Sequence, residues 1–370
     1  MSSAHVQSLF CRCLHHASEH LEPGTPVEPP IVPASVYFLP GEPKAAHQYG
    51  RWTNPTWSAL EQALSVLEEA ETLVFASGMA AIAAIFYTVL KAGDGVLLPS
   101  DGYYTTRSLA EKYLAPMGVS VSTRATIDYE SGDFNGFRLV WVETPSNPGL
   151  DICDLHSVVT KAKNAGALVV VDNTTLSPLG QRPLDLGADV VVSSDTKLVN
   201  GHSDALLAHV ASRNSEAMSR VRDWRTHAGA IPGPFEAWMV HRGLETLEVR
   251  FERMCDNAEK FAKRLAEHAK VQQVKFPGLF SGRAQEIAAK QMLRFGTMLG
   301  VTFAGKEQAE RFINECRFIR PTTSFGGVHT SAERRARWGD KVPDGFVRLS
   351  VGCEPAEILW GDIKRVLDTL

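Results

Sequence analysis

No apolar run in this 370-residue chain reaches the roughly 18–20 residues that a membrane-spanning helix needs. Nor does Met1–Phe10 carry a basic stretch followed by an apolar one, so neither a membrane protein nor a secretory leader is expected. Excess charge of one sign is missing too, since 38 basic residues face 42 acidic ones for a net charge of -4. That balance cannot release many phosphate counterions, so nucleic-acid binding is not expected as the main activity. Cysteine is scarce: Cys11, Cys13, Cys153, Cys255, Cys316 and Cys353 show no paired C-x-x-C spacing. A disulfide framework and a structural metal site are therefore not expected, and free thiols in a reducing cytoplasm are. Neither a G-x-x-x-x-G-K loop nor a G-x-G-x-x-G fingerprint occurs, so the usual cradles for nucleotide phosphates are absent. The 29 glycines and 20 prolines follow no period, and 44% hydrophobic content supports a sizeable core rather than a disordered chain.

What is present is alternation. Pro23, Pro26, Pro29, Pro30, Pro33, Pro40 and Pro43 break any helix, so residues 1–45 read as an irregular N-terminal arm, either frayed or laid over another surface. Leu60, Ala63, Leu64 and Leu67 then recur at helical spacing behind the start signal Asn54-Pro55-Thr56. Short apolar runs follow at 72–76, 96–98, 139–142, 168–171 and 190–193, with helical stretches at 79–90 and 154–164. Strands without polar alternation are buried on both faces, and strands alternating with helices imply a parallel sheet. Residues 46–230 are thus expected to form a large α/β domain with a mostly parallel sheet. Residues 231–370 are expected to form a smaller α+β domain that opens with a long helical pattern from Pro234 to about His268.

Ligands of open parallel sheets bind beyond the carboxyl ends of the strands. The residues there are Ser77-Gly78, Tyr103, Glu143, Asp172 and Ser194-Asp195-Thr196-Lys197. Asp172 ends an otherwise apolar strand, so it is either a loop cap or a buried carboxylate that needs a cationic partner such as a protonated pyridine nitrogen. Lys197 follows a buried strand, and a desolvated lysine has a lowered pKa and can form a Schiff base with a carbonyl cofactor. Ser77-Gly78-Met79 leads into a helix whose first N–H groups can take an anion.

These residues fall within an ordered set of motifs: Tyr49-Gly50-Arg51, Ser77-Gly78-Met79, Glu143-Thr144-Pro145-Ser146-Asn147-Pro148, Ser194-Asp195-Thr196-Lys197, Ser324-Phe325-Gly326-Gly327 and Val347-Arg348-Leu349-Ser350. In that order they resemble the Cys/Met-metabolism group of pyridoxal-phosphate enzymes, with cystathionine γ-lyase the nearest member. The resemblance implies an aspartate-aminotransferase-like (fold type I) architecture and pyridoxal 5'-phosphate as cofactor. It implies Lys197 as the Schiff-base and proton-shuttling lysine, Asp172 as partner of the ring nitrogen, and Ser77, Gly78, Met79, Ser194 and Thr196 around the phosphate. Tyr103 would stack on the ring and move a proton. Arg348 would grip the substrate carboxylate, with Asn147 and Ser324 beside it. Tyr49 and Arg51 would reach a neighbouring subunit's cofactor, so the resemblance implies a dimer as the minimum unit and the family's usual homotetramer.

The implied reaction is γ-elimination of L-cystathionine to cysteine, 2-oxobutyrate and ammonia, with cystathionine γ-synthase and methionine γ-lyase as alternatives. His329 stands where the family usually has a glutamate, Asp195 where it has a small residue, and Leu198 where an aromatic is common. A DNA-binding regulator on the same fold would need a basic face. The one dense basic cluster, Arg334, Arg335 and Arg337, reads as a solvated helix face. A nicotinamide oxidoreductase lacks its glycine fingerprint and leaves Lys197 without a role.

Overall fold

The computed structural model describes residues 3–18 and 21–370. Seven strands form the larger sheet: β1 (Glu71–Phe75), β2 (Gly95–Pro99), β3 (Ser120–Arg124), β4 (Leu139–Glu143), β5 (Leu168–Asp172), β6 (Val190–Ser193) and β7 (Ala208–Ser212). Their order is β1-β7-β6-β5-β4-β2-β3, and β7 alone runs antiparallel to its neighbours, between β1 and β6. The apolar runs at β4 and β5 are buried along nearly their whole length, as continuous Val/Leu strands must be when helices cover both faces. A smaller sheet has the order β10-β11-β12-β9-β8 and holds β8 (Gln273–Lys275), β9 (Met298–Thr302), β10 (Arg320–Pro321), β11 (Ser331–Arg334) and β12 (Phe346–Ser350). It is antiparallel except where β10 pairs with β11. Among the described residues no helix is long and apolar enough to cross a membrane.

The arm differs from expectation at its start. Ser3–Leu14 is a helix that buries Val6, Leu9, Phe10 and Cys13, and Val6, Phe10 and Cys13 join the same core as the helix Pro55–Glu68. Those four positions have i, i+3, i+4, i+7 spacing, so tertiary packing supports a helix that the downstream prolines obscured. Met1, Ser2, Glu19 and His20, all within the expected arm, lie outside the described residues. Residues 21–45 form no helix and are tied down near Val32. Asn54 donates to the Val32 carbonyl at 2.7 Å and the Thr56 hydroxyl to the Pro30 carbonyl at 2.9 Å. The long pattern from Pro234 is two helices, Pro234–Leu244 and Leu247–Ala266, parted at Glu245-Thr246.

A buried charge network secures the loop after β6. His209, on β7 and fully buried, bonds Asp195 through Nδ1 at 2.7 Å and Glu68 through Nε2 at 3.2 Å. Carboxylates on both ring nitrogens favour the imidazolium against the cost of burial and push its pKa up to about 10. Asp195 thus faces the interior and anchors its neighbours Ser194 and Thr196, which explains the larger residue at that position.

A histidine whose folded pKa lies above its ordinary 6.5 stabilises the fold fully below that pH and loses the contribution as pH rises toward about 10. The stability advantage of the wild type over His209→Gln, measured by denaturant unfolding, should be constant below about pH 6.5 and shrink toward pH 10. An advantage that does not change with pH would show the imidazole to be neutral.

Candidate active site

The carboxyl ends of the parallel strands open into a cavity of about 890 Å³ that the smaller sheet closes from the other side. Ser77, Gly78, Met79, Tyr103, Asn147, Asp172, Ser194, Thr196, Lys197, Ser324 and Arg348 all line it. Eleven of the thirteen expected site residues therefore come together. Tyr49 and Arg51 do not line this cavity. Arg51 lies over the Tyr49 ring at 5.5 Å and donates to the Thr226 carbonyl at 2.6 Å.

Lys197 sits in the turn after β6, where its N–H bonds the Ser194 carbonyl at 3.1 Å. Burial and the nearby Arg348 guanidinium lower its pKa to about 8, while Asp172 opposes the shift. The turn is fastened from behind by Arg250, which donates to the carbonyls of Leu198 at 2.9 Å and Val199 at 3.0 Å. Gly201 adopts a φ of +73°, and a Cβ there would lie 1.9 Å from Arg250 Nη1, so glycine is required for the turn and its brace to coexist. The Phe325 ring lies between the cations, 5.4 Å from Lys197 Nζ and 5.3 Å from the Arg348 guanidinium.

Asp172 and Glu143 are register partners at the ends of β5 and β4. Burial raises both pKa values, and the Asp172 charge raises that of Glu143 further. Glu143 Oε2 accepts from the Tyr103 N–H at 2.7 Å, and Asp172 Oδ1 from the Thr174 N–H at 3.0 Å. No cation forms an ion pair with either carboxylate among the described residues. Burial therefore favours the neutral form of both carboxyls, and the negative charge of Asp172 adds to this at Glu143.

At the far side, Ser77 caps the helix Gly78–Val89 by accepting from the Ala80 N–H at 3.2 Å. The N–H groups of Gly78 and Met79, first in that helix, have no intrahelical acceptor and border the cavity. Ser194 stands beside them with a hydroxyl that bonds nothing among the described residues. A Cβ at Gly78 would come within 3.2 Å of the Ser194 Cβ, so glycine lets the two approach. Thr196 is already committed: its hydroxyl donates to the Leu207 carbonyl at 3.2 Å and accepts from the Leu207 N–H at 3.1 Å.

Residues 12–368 match the model of the family described as Cys/Met metabolism PLP-dependent enzyme. The chain belongs to this family. A provisionally named cystathionine gamma-lyase of Streptomyces coelicolor is 47% identical over 350 residues, covering 93% of this chain and 89% of that protein. An L-methionine gamma-lyase of Treponema denticola is 36% identical over 342 residues, covering 87% and 85%. The crystal structure of cystathionine gamma-synthase from Xanthomonas oryzae in complex with cystathionine aligns at a TM-score of 0.91 and 34% identity, over 97% of both chains. The fold is that of the fold type I enzymes, and the protein is a PLP-dependent enzyme of Cys/Met metabolism.

The cavity suits the family's cofactor. Two free N–H groups and an unengaged hydroxyl suit a phosphate, a buried carboxylate lacking a cation suits a protonated pyridine nitrogen, and a desolvated amine suits an aldehyde.

Arg348 is almost fully buried, and burial lowers its pKa to about 10. Nη1 donates to Asn147 Oδ1 at 2.7 Å, and Nη2 to the Ser324 carbonyl at 3.1 Å and Glu333 Oε2 at 3.0 Å. Glu333 also accepts from Arg335, Arg337 and Trp338 at 2.8, 2.9 and 2.5 Å. The basic cluster is thus no solvated helix face. Arg334 and Arg335 are buried and ion-paired, Arg335 to Glu333 and Asp340. The sequence offered no signal for this hub, because Glu333 and its donors converge only through the β11–β12 pairing and the turn that follows.

In cofactor-free protein, the Lys197 amine should titrate near pH 8, protonated below and neutral above. Removing the adjacent cation in Arg348→Gln should raise that midpoint toward the ordinary lysine range of about 10.4. NMR titration of reductively dimethylated protein reads both values, and a wild-type midpoint above about 10 would refute the desolvation.

Proposed function

We propose that the protein catalyses γ-elimination of L-cystathionine to cysteine, 2-oxobutyrate and ammonia. The observation that supports this reading most is the meeting of a desolvated Lys197 amine, the Asp172 carboxylate and the Arg348 guanidinium in one cavity. The 47% identity to a provisionally named cystathionine gamma-lyase favours that reaction within the family.

When bound, pyridoxal phosphate supplies an electron sink for charge developing at the substrate α-carbon. The protein's residues do the rest. Gly78, Met79, Ser77 and Ser194 hold the phosphate, and Thr196 joins them if its proton turns from Leu207. Asp172, a buried carboxylate, would pair with the ring nitrogen and favour its protonated form, and that cation would favour the ionised carboxylate in turn. Arg348 takes the substrate α-carboxylate in its planar fork, oriented by Asn147, the Ser324 carbonyl and Glu333. Lys197 Nζ, with its pKa lowered by burial and standing beside the bound carboxylate, would remove the α-proton and pass it on, and removal of a β-proton would then let the γ-sulfur leave. Tyr103, on the cavity wall, would face the cofactor ring and supply its hydroxyl proton to the departing γ-sulfur.

The N-terminal arm completes the reading. Val27, Val36 and Phe38 are exposed, Phe38 by 91%, which is costly for a chain alone in water. A homotetramer in which the arm covers an adjacent subunit would bury them and bring Tyr49 and Arg51 to that subunit's phosphate. A cytoplasmic setting suits cysteines that are all free thiols.

Mass spectrometry of products separates the reactions. L-cystathionine should yield cysteine and 2-oxobutyrate, and a protein that instead only joins cysteine to an O-acylhomoserine would be the γ-synthase. Asp172→Ala should lower kcat for cystathionine by at least about a hundredfold, as loss of a transition-state charge partner does. Unchanged turnover would remove Asp172 from the ring nitrogen.

A further inference from the structure

Four long cationic side chains line the cavity: Lys197, Arg320, Arg335 and Arg348. Arg335 and Arg348 are buried and share Glu333, and Lys197 is desolvated beside Asp172. Arg320 differs from all three. It is exposed, and its guanidinium makes no hydrogen bond or ion pair among the described residues. Unpaired arginines are ordinary on a protein surface, but this one borders the reaction cavity.

Strand register fixes where it stands. Arg348 on β12 pairs with Glu333 on β11, and Ser331, two residues before Glu333, pairs with Arg320 on β10. Residues two apart share a face of a sheet, and so do register partners. Arg320, Ser331 and Arg348 therefore present the same face, and all three border the cavity. Arg320 is two strands and two residues from Arg348, which at about 4.8 Å per strand and 3.3 Å per residue separates their backbones by roughly 12 Å. Both guanidiniums can thus engage the two ends of one extended ligand.

We infer that Arg320 binds the distal carboxylate of the substrate and so selects amino acids that carry a second carboxylate at the end remote from the reacting centre. The inference rests on the reading of Arg348 as the α-carboxylate site. It makes Arg320 a specificity residue with no part in bond breaking. Charge at a two-residue edge strand that ends in Pro321 also guards against strand pairing, and that role alone would leave ligand binding unaffected.

The test uses holoenzyme and two unreactive amino acids, L-2-aminosuberate with a distal carboxylate and L-norleucine without one. Inhibition constants are measured for wild type, Arg320→Gln and Arg320→Lys against whichever substrate the enzyme turns over. Arg320→Gln should weaken L-2-aminosuberate by about tenfold, as loss of a charge-assisted hydrogen bond does, and leave L-norleucine within about twofold. Arg320→Lys should restore part of the loss, and the KM for L-cystathionine should rise with kcat little changed. Equal weakening of both inhibitors, or of neither, overturns the inference. If the enzyme fails to cleave cystathionine but the inhibitor difference still follows Arg320, the proposed reaction falls and the distal site stands.

Discussion

Lys197 is a cation held where cations are disfavoured. Its amine loses water to the walls of a cavity formed at the carboxyl ends of β4, β5 and β6, and Arg348 adds repulsion from the opposite sheet. The Asp172 carboxylate is too weak a counterweight to restore the ordinary pKa. Much of the surrounding architecture serves to keep that amine in place. The His209 network anchors Asp195, Arg250 braces the carbonyls of Leu198 and Val199, and Gly201 allows the brace to approach. Each lies behind the lysine rather than in the cavity.

The opposite wall is organised around one carboxylate. Glu333 receives Arg348, Arg335, Arg337 and Trp338, and Asp340 takes the far side of Arg335. Buried guanidiniums are costly unless paired, so this set is mutually dependent. It turns the segment after β11 into a rigid support that fixes the fork of Arg348. Arg320 stands on the same face outside this network. One wall thus offers arginines of two kinds, Arg335 and Arg348 buried and paired, Arg320 exposed and unsatisfied.

The strands that deliver the chemistry were legible because burial on both faces leaves an unmistakable apolar run, as at 139–142, 168–171 and 190–193. Their terminal polar residues were legible for the same reason, since Asp172 stands out after Leu168-Val169-Val170-Val171 and Glu143 after Leu139-Val140-Trp141-Val142. Elements with mixed composition were not. β3 is half-exposed and reads Ser-Val-Ser-Thr-Arg, and β7 carries a fully buried His209 that only its two carboxylate partners explain. The helix Ser3–Leu14 has the right periodicity, but the seven prolines that follow it mask the signal. The arginine cluster misled because charge in sequence says nothing of partners brought in by another strand. Tyr49 and Arg51, read from their motif alone, do not line the cavity of their own chain.

The account depends on Lys197 being the amine that joins the cofactor aldehyde. Borohydride reduction of the pyridoxal-phosphate-loaded protein, followed by peptide mapping, tests this directly. A single pyridoxyl group on Lys197, absent from Lys197→Ala, is the expected result. Stoichiometric labelling of a different lysine, or no adduct in protein saturated with the vitamin, would contradict it.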